Sequence, residues 1–223
     1  MTVSIENYLK ALFILHRIQR GAIKTNLIAS RLNVSSASVT EMIKKLSSKK
    51  LVKYSPYQGV ELTKTGIERG RNMVRRHRIL ELFLHEILGI AWNKVHQEAE
   101  KLEHATSDMV INKMEEVLHF PKYDPHGDPI PALDGTMPEL KGTDYLNTMQ
   151  VGDEVELMRV VDDNDEFLSF LESVGIRLGV RLIVIDSLAF DHSMKVKVEG
   201  KEQILSAYIT KQLWVNLVNR KEQ

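Results

Sequence analysis

The chain contains no cysteine, which excludes a disulfide framework, a thiolate metal site and thiol redox chemistry. It has no run of about 18 apolar residues, the length a helix needs to span a bilayer. Its first residues, Met1 to Glu6, carry no basic segment leading into an apolar one, so no secretory leader, no membrane partner and a cytoplasmic location are expected. The string His-Glu-x-x-His is absent, and Glu-x-x-His is not repeated on two helices in a di-iron pattern. Both absences count against a metal-dependent enzyme.

Net charge is also lacking, since 30 Lys and Arg balance 30 Asp and Glu, yet that zero hides a division. Residues 1 to 78 hold 16 basic against 4 acidic side chains, and the remaining 145 hold 14 against 26. A basic module that meets a polyanion, joined to an acidic module that binds cations, fits this asymmetry. The 223 residues, 43% of them hydrophobic and 27% charged, suffice for two or three small domains.

Apolar residues at helical spacing predict an amphipathic helix over residues 4 to 20, capped by Ser4. A short helix follows from Lys24 to Leu32, then a tight turn at Asn33-Val34-Ser35 and a third helix from Ser36 to Ser48 with Val39, Ile43 and Leu46 on its core face. This is a helix-turn-helix. Its second helix offers Ser35, Ser36, Ala37, Ser38, Thr40 and Glu41 to base edges and phosphates, with Lys44 and Lys45 behind them. Two short alternating segments, Leu51 to Tyr54 and Val60 to Leu62, joined across Ser55 to Gly59, complete a winged helix.

A longer helix is predicted from Thr65 to about Leu88. Its surplus of large apolar residues suits a dimer interface, because a protein reading a palindrome needs two-fold symmetry. Asn93 to Leu118 reads as another helix with an apolar stripe of Val95, Ala99, Leu102 and Met109. Beside that stripe His96, Glu100, Glu103 and His104 share one face and converge on a point. His77 and Glu81 repeat the spacing on the preceding helix. Three histidines and three carboxylates beside a core would leave unpaired charge unless a cation neutralised it. Singly, each would more often be a core histidine or a surface charge.

Five of the six prolines lie between Pro121 and Pro138, which marks an extended linker and a domain boundary. Beyond it, Glu154 to Val161, Arg181 to Asp186, Met194 to Val198 and Leu213 to Val218 read as strands of a small five-stranded barrel. The expected division is a winged-helix domain over 1–65, a helical metal-binding and dimerisation domain over 66–120, a Pro-rich linker over 121–148 and a small β domain over 149–223. The fold class is mainly α.

The whole set resembles the diphtheria toxin repressor family. The likeness is carried by Val39-Thr40-Glu41-Met42, by Arg76-His77-Arg78 with Glu81, by Asn93-Lys94-Val95-His96 with Glu100, Glu103 and His104, and by the run from Pro125 to Pro131. It implies an SH3-like C-terminal domain and a manganese- or iron-dependent, homodimeric repressor of metal-uptake genes, bound to a palindromic operator in double-stranded DNA. It further implies two metal sites per subunit. An ancillary site would use His77, Glu81 and His96, completed by Asp163 and Glu166, and an activating site would use Glu100, Glu103 and His104. Family members commonly place a Met or Asp ligand on the first helix where this chain has Asn7, with Lys10 at a nearby second acidic position. An amide oxygen can coordinate without bringing charge, and Asp124 or His126 from the linker could supply another donor. An oxygen-and-nitrogen shell suits Mn²⁺ or Fe²⁺ over softer ions, and the resemblance favours Mn²⁺, because iron-responsive members have Cys at the position of Glu100 whereas manganese-type members have an acidic residue. Two alternatives remain at this stage: a metal-dependent enzyme, and a winged-helix protein whose metal is purely structural.

Overall fold

The structure is a computed structural model that describes residues 1–19, 21–55, 58–161 and 164–220. Its N-terminal unit follows from apolar periodicity. Helix α1 (Val3–Ile18) starts after Thr2, so Ser4 lies inside the helix and not at its cap. It buries Ile5, Tyr8, Leu9, Leu12 and Phe13. Helix α2 (Thr25–Leu32) ends at Asn33, which adopts the left-handed conformation that Asn tolerates. The Ser35 side chain then accepts from the Ser38 N–H and starts α3 (Ser36–Ser48), whose Val39, Ile43 and Leu46 are fully buried.

Strands β1 (Val52–Ser55) and β2 (Gly59–Leu62) pair antiparallel with Val52 opposite Leu62, and Ile23 bridges to Val60. Pro56 and Tyr57, expected in the turn of the wing, lie outside the described residues. Helix α4 (Lys64–Glu86) is capped by Thr63 and, at 23 residues, is about 34 Å long. It packs hard against α1 at Gly70, where a Cβ would meet Leu9 O at 2.5 Å and Phe13 Cβ at 2.8 Å. That approach brings Lys10 of α1 against His77, two turns further along α4.

The single helix expected from Asn93 to Leu118 is two helices, α5 (Val95–Leu102) and α6 (Asp108–Val117). Ser107 breaks the run by accepting from the Val110 N–H and capping α6. The break also splits the expected apolar stripe. Val95 and Ala99 are buried, whereas Leu102 and Met109 are 40% and 72% exposed.

The Pro-rich segment is extended but not loose, because Asp124, His126 and Ile130 are buried. Asp124 Oδ1 accepts from the backbone N–H groups of His126 and Asp128, each at 2.9 Å. Trp92 Nε1 donates to Pro125 O at 3.0 Å while its ring packs into the C-terminal core. The segment thus cements the helical layer to the β domain.

That domain comprises β3 (Asp144–Tyr145), β4 (Glu154–Val160), α7 (Asp165–Ser173), β5 (Arg181–Ser187), β6 (Met194–Val198), β7 (Lys201–Leu205), α8 (Ala207–Thr210) and β8 (Leu213–Asn219). Where a five-stranded barrel is expected, the strands form a six-stranded antiparallel sheet in the order β3-β8-β4-β5-β6-β7. Its two end strands do not pair with each other among the described residues. Strand β7, Lys-Glu-Gln-Ile-Leu, buries only Leu205, so its sequence shows little of the alternation by which a strand is recognised. No helix among the described residues is long and apolar enough to cross a membrane.

Candidate metal centre and DNA-binding face

Three donors meet where α4 faces α5. His77 and Glu81, one turn apart on α4, place Nε2 and Oε1 2.9 Å from each other. His96, in the first turn of α5, sets its Nδ1 3.1 Å from His77 Nε2 and 3.0 Å from Glu81 Oε1. His77 and Glu81 are buried and His96 is half-buried. Donors about 2.1 Å from a small divalent ion lie about 3 Å apart when they bind it at right angles, so this spacing fits such an ion. Among the described residues, these three side chains form the group whose ligand atoms all lie within 4.8 Å of one another.

The charges there are strongly coupled. Burial works against an imidazolium at His77, yet the Glu81 carboxylate and the bonds to Glu103 and Glu81 lift its pKa to about 9, against opposing Lys10. Burial likewise penalises the Glu81 carboxylate, but the His77 charge and bonds from His77 and His96 hold it well below the usual range. Without metal, the imidazolium of His77 thus occupies the space between two carboxylates.

The remaining expected ligands do not share that point. Glu103 is fully buried and turns towards His77 Nδ1, 2.6 Å away, and towards Lys10 Nζ at 2.7 Å. His104 faces α1, where its Nδ1 is 2.6 Å from Glu6 Oε2. Glu100 is largely exposed, 3.7 Å from His96 Nε2 and 3.4 Å from Lys10 Nζ. Asn7 lines the adjacent cleft of about 770 Å³ together with His77, Glu81, His96, Asp124 and His126. Its Oδ1 is buried with no hydrogen-bond partner among the described residues.

Asp124 caps the linker turn and lies 3.4 Å from Arg78 Nε. Burial, with Asp128 and Glu81 nearby, pushes its pKa well above the usual carboxylate value. His126 stacks at a tilt on Trp92, with ring centroids 5.4 Å apart. Glu166 is exposed on the first turn of α7, and Asp163 lies outside the described residues. It is Asp165 that reaches the helical layer, bonded to Lys94 at 2.7 Å and Gln97 at 2.9 Å. Glu6 was not singled out by sequence reasoning. Its signal was the i, i+4 spacing with Lys10 on α1, a pair that reaches outward to His104 and Glu103.

In the first domain, Ser35, Ser36, Ala37, Ser38, Glu41, Lys44 and Lys45 are exposed and Thr40 is half-buried. Thr40 Oγ1 donates back to Ser36 O at 2.9 Å. The start of α3 therefore presents small polar groups backed by lysines, as a helix entering a major groove does. The basic surplus is smaller at this face than the count suggests. Lys10, Arg75, Arg76 and Arg78 are held internally by Glu103, Glu115, Asp108 and Asp124.

Comparison with known proteins accounts for both faces. Residues 1–60 match the profile described as iron dependent repressor, N-terminal DNA binding domain. Residues 63–132 match the metal binding and dimerisation domain of the same family, and residues 145–217 match the FeoA domain. The diphtheria toxin repressor of Corynebacterium efficiens is 31% identical over 168 residues, covering 71% of this chain and 73% of that protein. The chain belongs to the iron-dependent repressor family.

Within this family, an HTH-type transcriptional regulator of Methanocaldococcus jannaschii is 38% identical over 114 residues, 51% of this chain and 91% of its own length. A solved manganese-dependent transcriptional repressor in complex with manganese superimposes with a TM-score of 0.86 at 34% identity, covering 96% of this chain and all of that one. A ScaR structure with bound Zn²⁺ reaches 0.79 at 33% identity, covering 96% and 99%. The expected SH3-like C-terminal domain corresponds to the FeoA match, and the expected winged helix to the DNA-binding match.

Proposed function

We propose that this iron-dependent repressor family member is a homodimeric, Mn²⁺-dependent transcriptional repressor that binds a palindromic operator and controls metal-uptake genes in the cytoplasm. The observation that carries the reading is the set of donors on His77, Glu81 and His96, spaced about 3 Å apart as a divalent ion requires, two of them on α4, the helix that packs against α1 of the DNA-binding unit. An oxygen-and-nitrogen shell without sulfur suits Mn²⁺ or Fe²⁺ over softer ions. A bound ion supplies positive charge that holds α4 and α5 in one arrangement, and it favours DNA binding only by its differential affinity for that arrangement.

Exposed Ile87, Leu88, Met109, Val117 and Phe120 supply an apolar surface for a second copy of the helical domain. The dimer then presents two α3 helices to successive major grooves. The test is to enrich random duplex DNA on the purified protein and follow the enriched palindrome by fluorescence anisotropy. Titrations with Mn²⁺, with Fe²⁺ under anaerobic conditions and with EDTA should show tightening by metal, and most strongly by Mn²⁺. Equal binding in EDTA overturns the metal-dependent reading, and stronger tightening by Fe²⁺ overturns the choice of ion.

A further inference from the structure

Lys10 occupies the place at which the family resemblance implies a second metal. Its ammonium is 2.7 and 3.0 Å from the two oxygens of Glu103, 3.4 Å from Glu100 Oε1 and 3.5 Å from His77 Nδ1. The side chains of Lys10 and Glu103 are 12% and 1% exposed. A buried carboxylate must be paired with a cation, and here the cation is covalently part of α1. The third expected ligand, His104, is engaged through Nδ1 by Glu6 at 2.6 Å and keeps Nε2 3.3 Å from Glu103 Oε1, on the carboxylate that the ammonium already holds. Asn7 Oδ1 adds a neutral donor to the cleft and no charge. A divalent ion coordinated by Glu103 would have to lie beside the ammonium, where like charges repel.

We propose that Lys10 is a tethered cation that replaces the second metal, so that each chain binds one ion, at His77, Glu81 and His96. The proposal rests on the reading of those three residues as a metal centre. It also defines how the ion communicates with the DNA-binding unit. A carboxylate only accepts, so the 2.6 Å contact to Glu103 keeps a proton on His77 Nδ1, and Nε2, which faces Glu81 and His96, is the nitrogen that gives up its proton to take the ion. Glu103 is then a positioning residue of the kind that orients metal-bound histidines. The same carboxylate holds Lys10. Metal, His77, Glu103, Lys10 and α1 form one continuous line, which takes over the connection a second ion would make.

The experiment is equilibrium dialysis of the full chain against Mn²⁺ with elemental analysis, alongside electron paramagnetic resonance of the loaded protein. One tight ion per chain and the resolved hyperfine pattern of an isolated Mn²⁺ are expected. Lys10→Glu, which exchanges the ammonium for a carboxylate, should take up a second ion and show the broadened spectrum of a coupled pair. Two tight ions in the wild type, or a coupled spectrum there, overturn the role of Lys10 and leave the three-residue centre standing. No tight ion overturns both. A folded Lys10→Glu variant that still takes one ion shows that the ammonium is not what excludes the second. If that variant does not fold, the wild-type stoichiometry and spectrum decide alone.

Discussion

His77 on α4 and Glu103 at the end of α5 are joined by a 2.6 Å contact between Nδ1 and Oε2, and this contact fixes which imidazole nitrogen is turned to Glu81 and His96. Glu103→Gln removes the charge that orients the ring while keeping an acceptor of the same shape. Loss of such an orienting partner typically weakens metal binding by about 10- to 100-fold. Isothermal titration should find that loss with the stoichiometry unchanged, and an affinity equal to wild type would remove Glu103 from the centre.

The His77 proton competes with the metal. Its pKa in the folded, metal-free protein is raised from 6.5 to about 9, so folding favours the protonated form. The stability this contributes is fully present below pH 6.5 and is lost as pH rises through about 9. In EDTA, thermal unfolding should therefore shift to lower temperature between pH 6.5 and 9.5, more in the wild type than in His77→Gln. Over the same interval apparent Mn²⁺ affinity should rise, with proton release on binding that diminishes as the pH increases. A pH-independent affinity would mean that His77 is not deprotonated by the ion.

Gly70 tests the docking of α1 on α4 by the sign of one change. Helix propensity alone favours Ala over Gly by about 1 kcal/mol. A Cβ at this position, however, meets Leu9 O at 2.5 Å and Phe13 Cβ at 2.8 Å, and overpacking of that kind typically costs about 1–3 kcal/mol. Urea unfolding of Gly70→Ala should show a net loss of stability. The displaced α1 should also carry Lys10 away from Glu103 and weaken DNA binding in saturating Mn²⁺. A stabilised variant with normal DNA affinity would mean that the two helices adjust without consequence.

The parts that were legible in the sequence are those decided by local spacing. Val39, Ile43 and Leu46 announced α3, and His77 with Glu81 announced one face of α4 because i, i+4 neighbours must lie together. What was not legible depends on contacts between distant segments. Lys10 and Glu103 stand 93 residues apart, and nothing in either neighbourhood says that one neutralises the other. The break between α5 and α6 had a local signal in Ser107-Asp108, but unbroken apolar spacing concealed it. Prolines suggested an extended linker, and Asp124 and Trp92 bind that segment down through hydrogen bonds no pattern of composition encodes. Strand β3 escaped because two residues carry no period.

Lys44 and Lys45 are exposed on α3, and phosphate contact is the simplest use for them. Each lysine that meets a phosphate adds about 0.9 to the steepness with which log affinity falls against log salt. The homodimer presents each lysine twice, so Lys44→Ala and Lys45→Ala should each flatten that slope by about two and weaken all duplexes alike. Ser38→Ala should instead alter the preference among duplexes more than the slope. An unchanged slope in both lysine variants would mean that another face of the domain meets the backbone.

Coupling between metal and DNA is the central claim, and thermodynamic reciprocity measures it directly. If loading both Mn²⁺ sites of the dimer tightens operator binding by some factor, the operator must tighten the two Mn²⁺ binding steps, taken as a product, by the same factor. The measurement is the Mn²⁺ dissociation constant of the intact chain with and without saturating operator duplex, repeated on His96→Ala. The expected result is tighter Mn²⁺ binding in the presence of operator, by the square root of the factor found from DNA titrations for each of the two equivalent ions, and loss of that difference in His96→Ala. Identical Mn²⁺ affinity with and without operator would contradict the account, leaving His77, Glu81 and His96 as a metal staple with no influence on DNA.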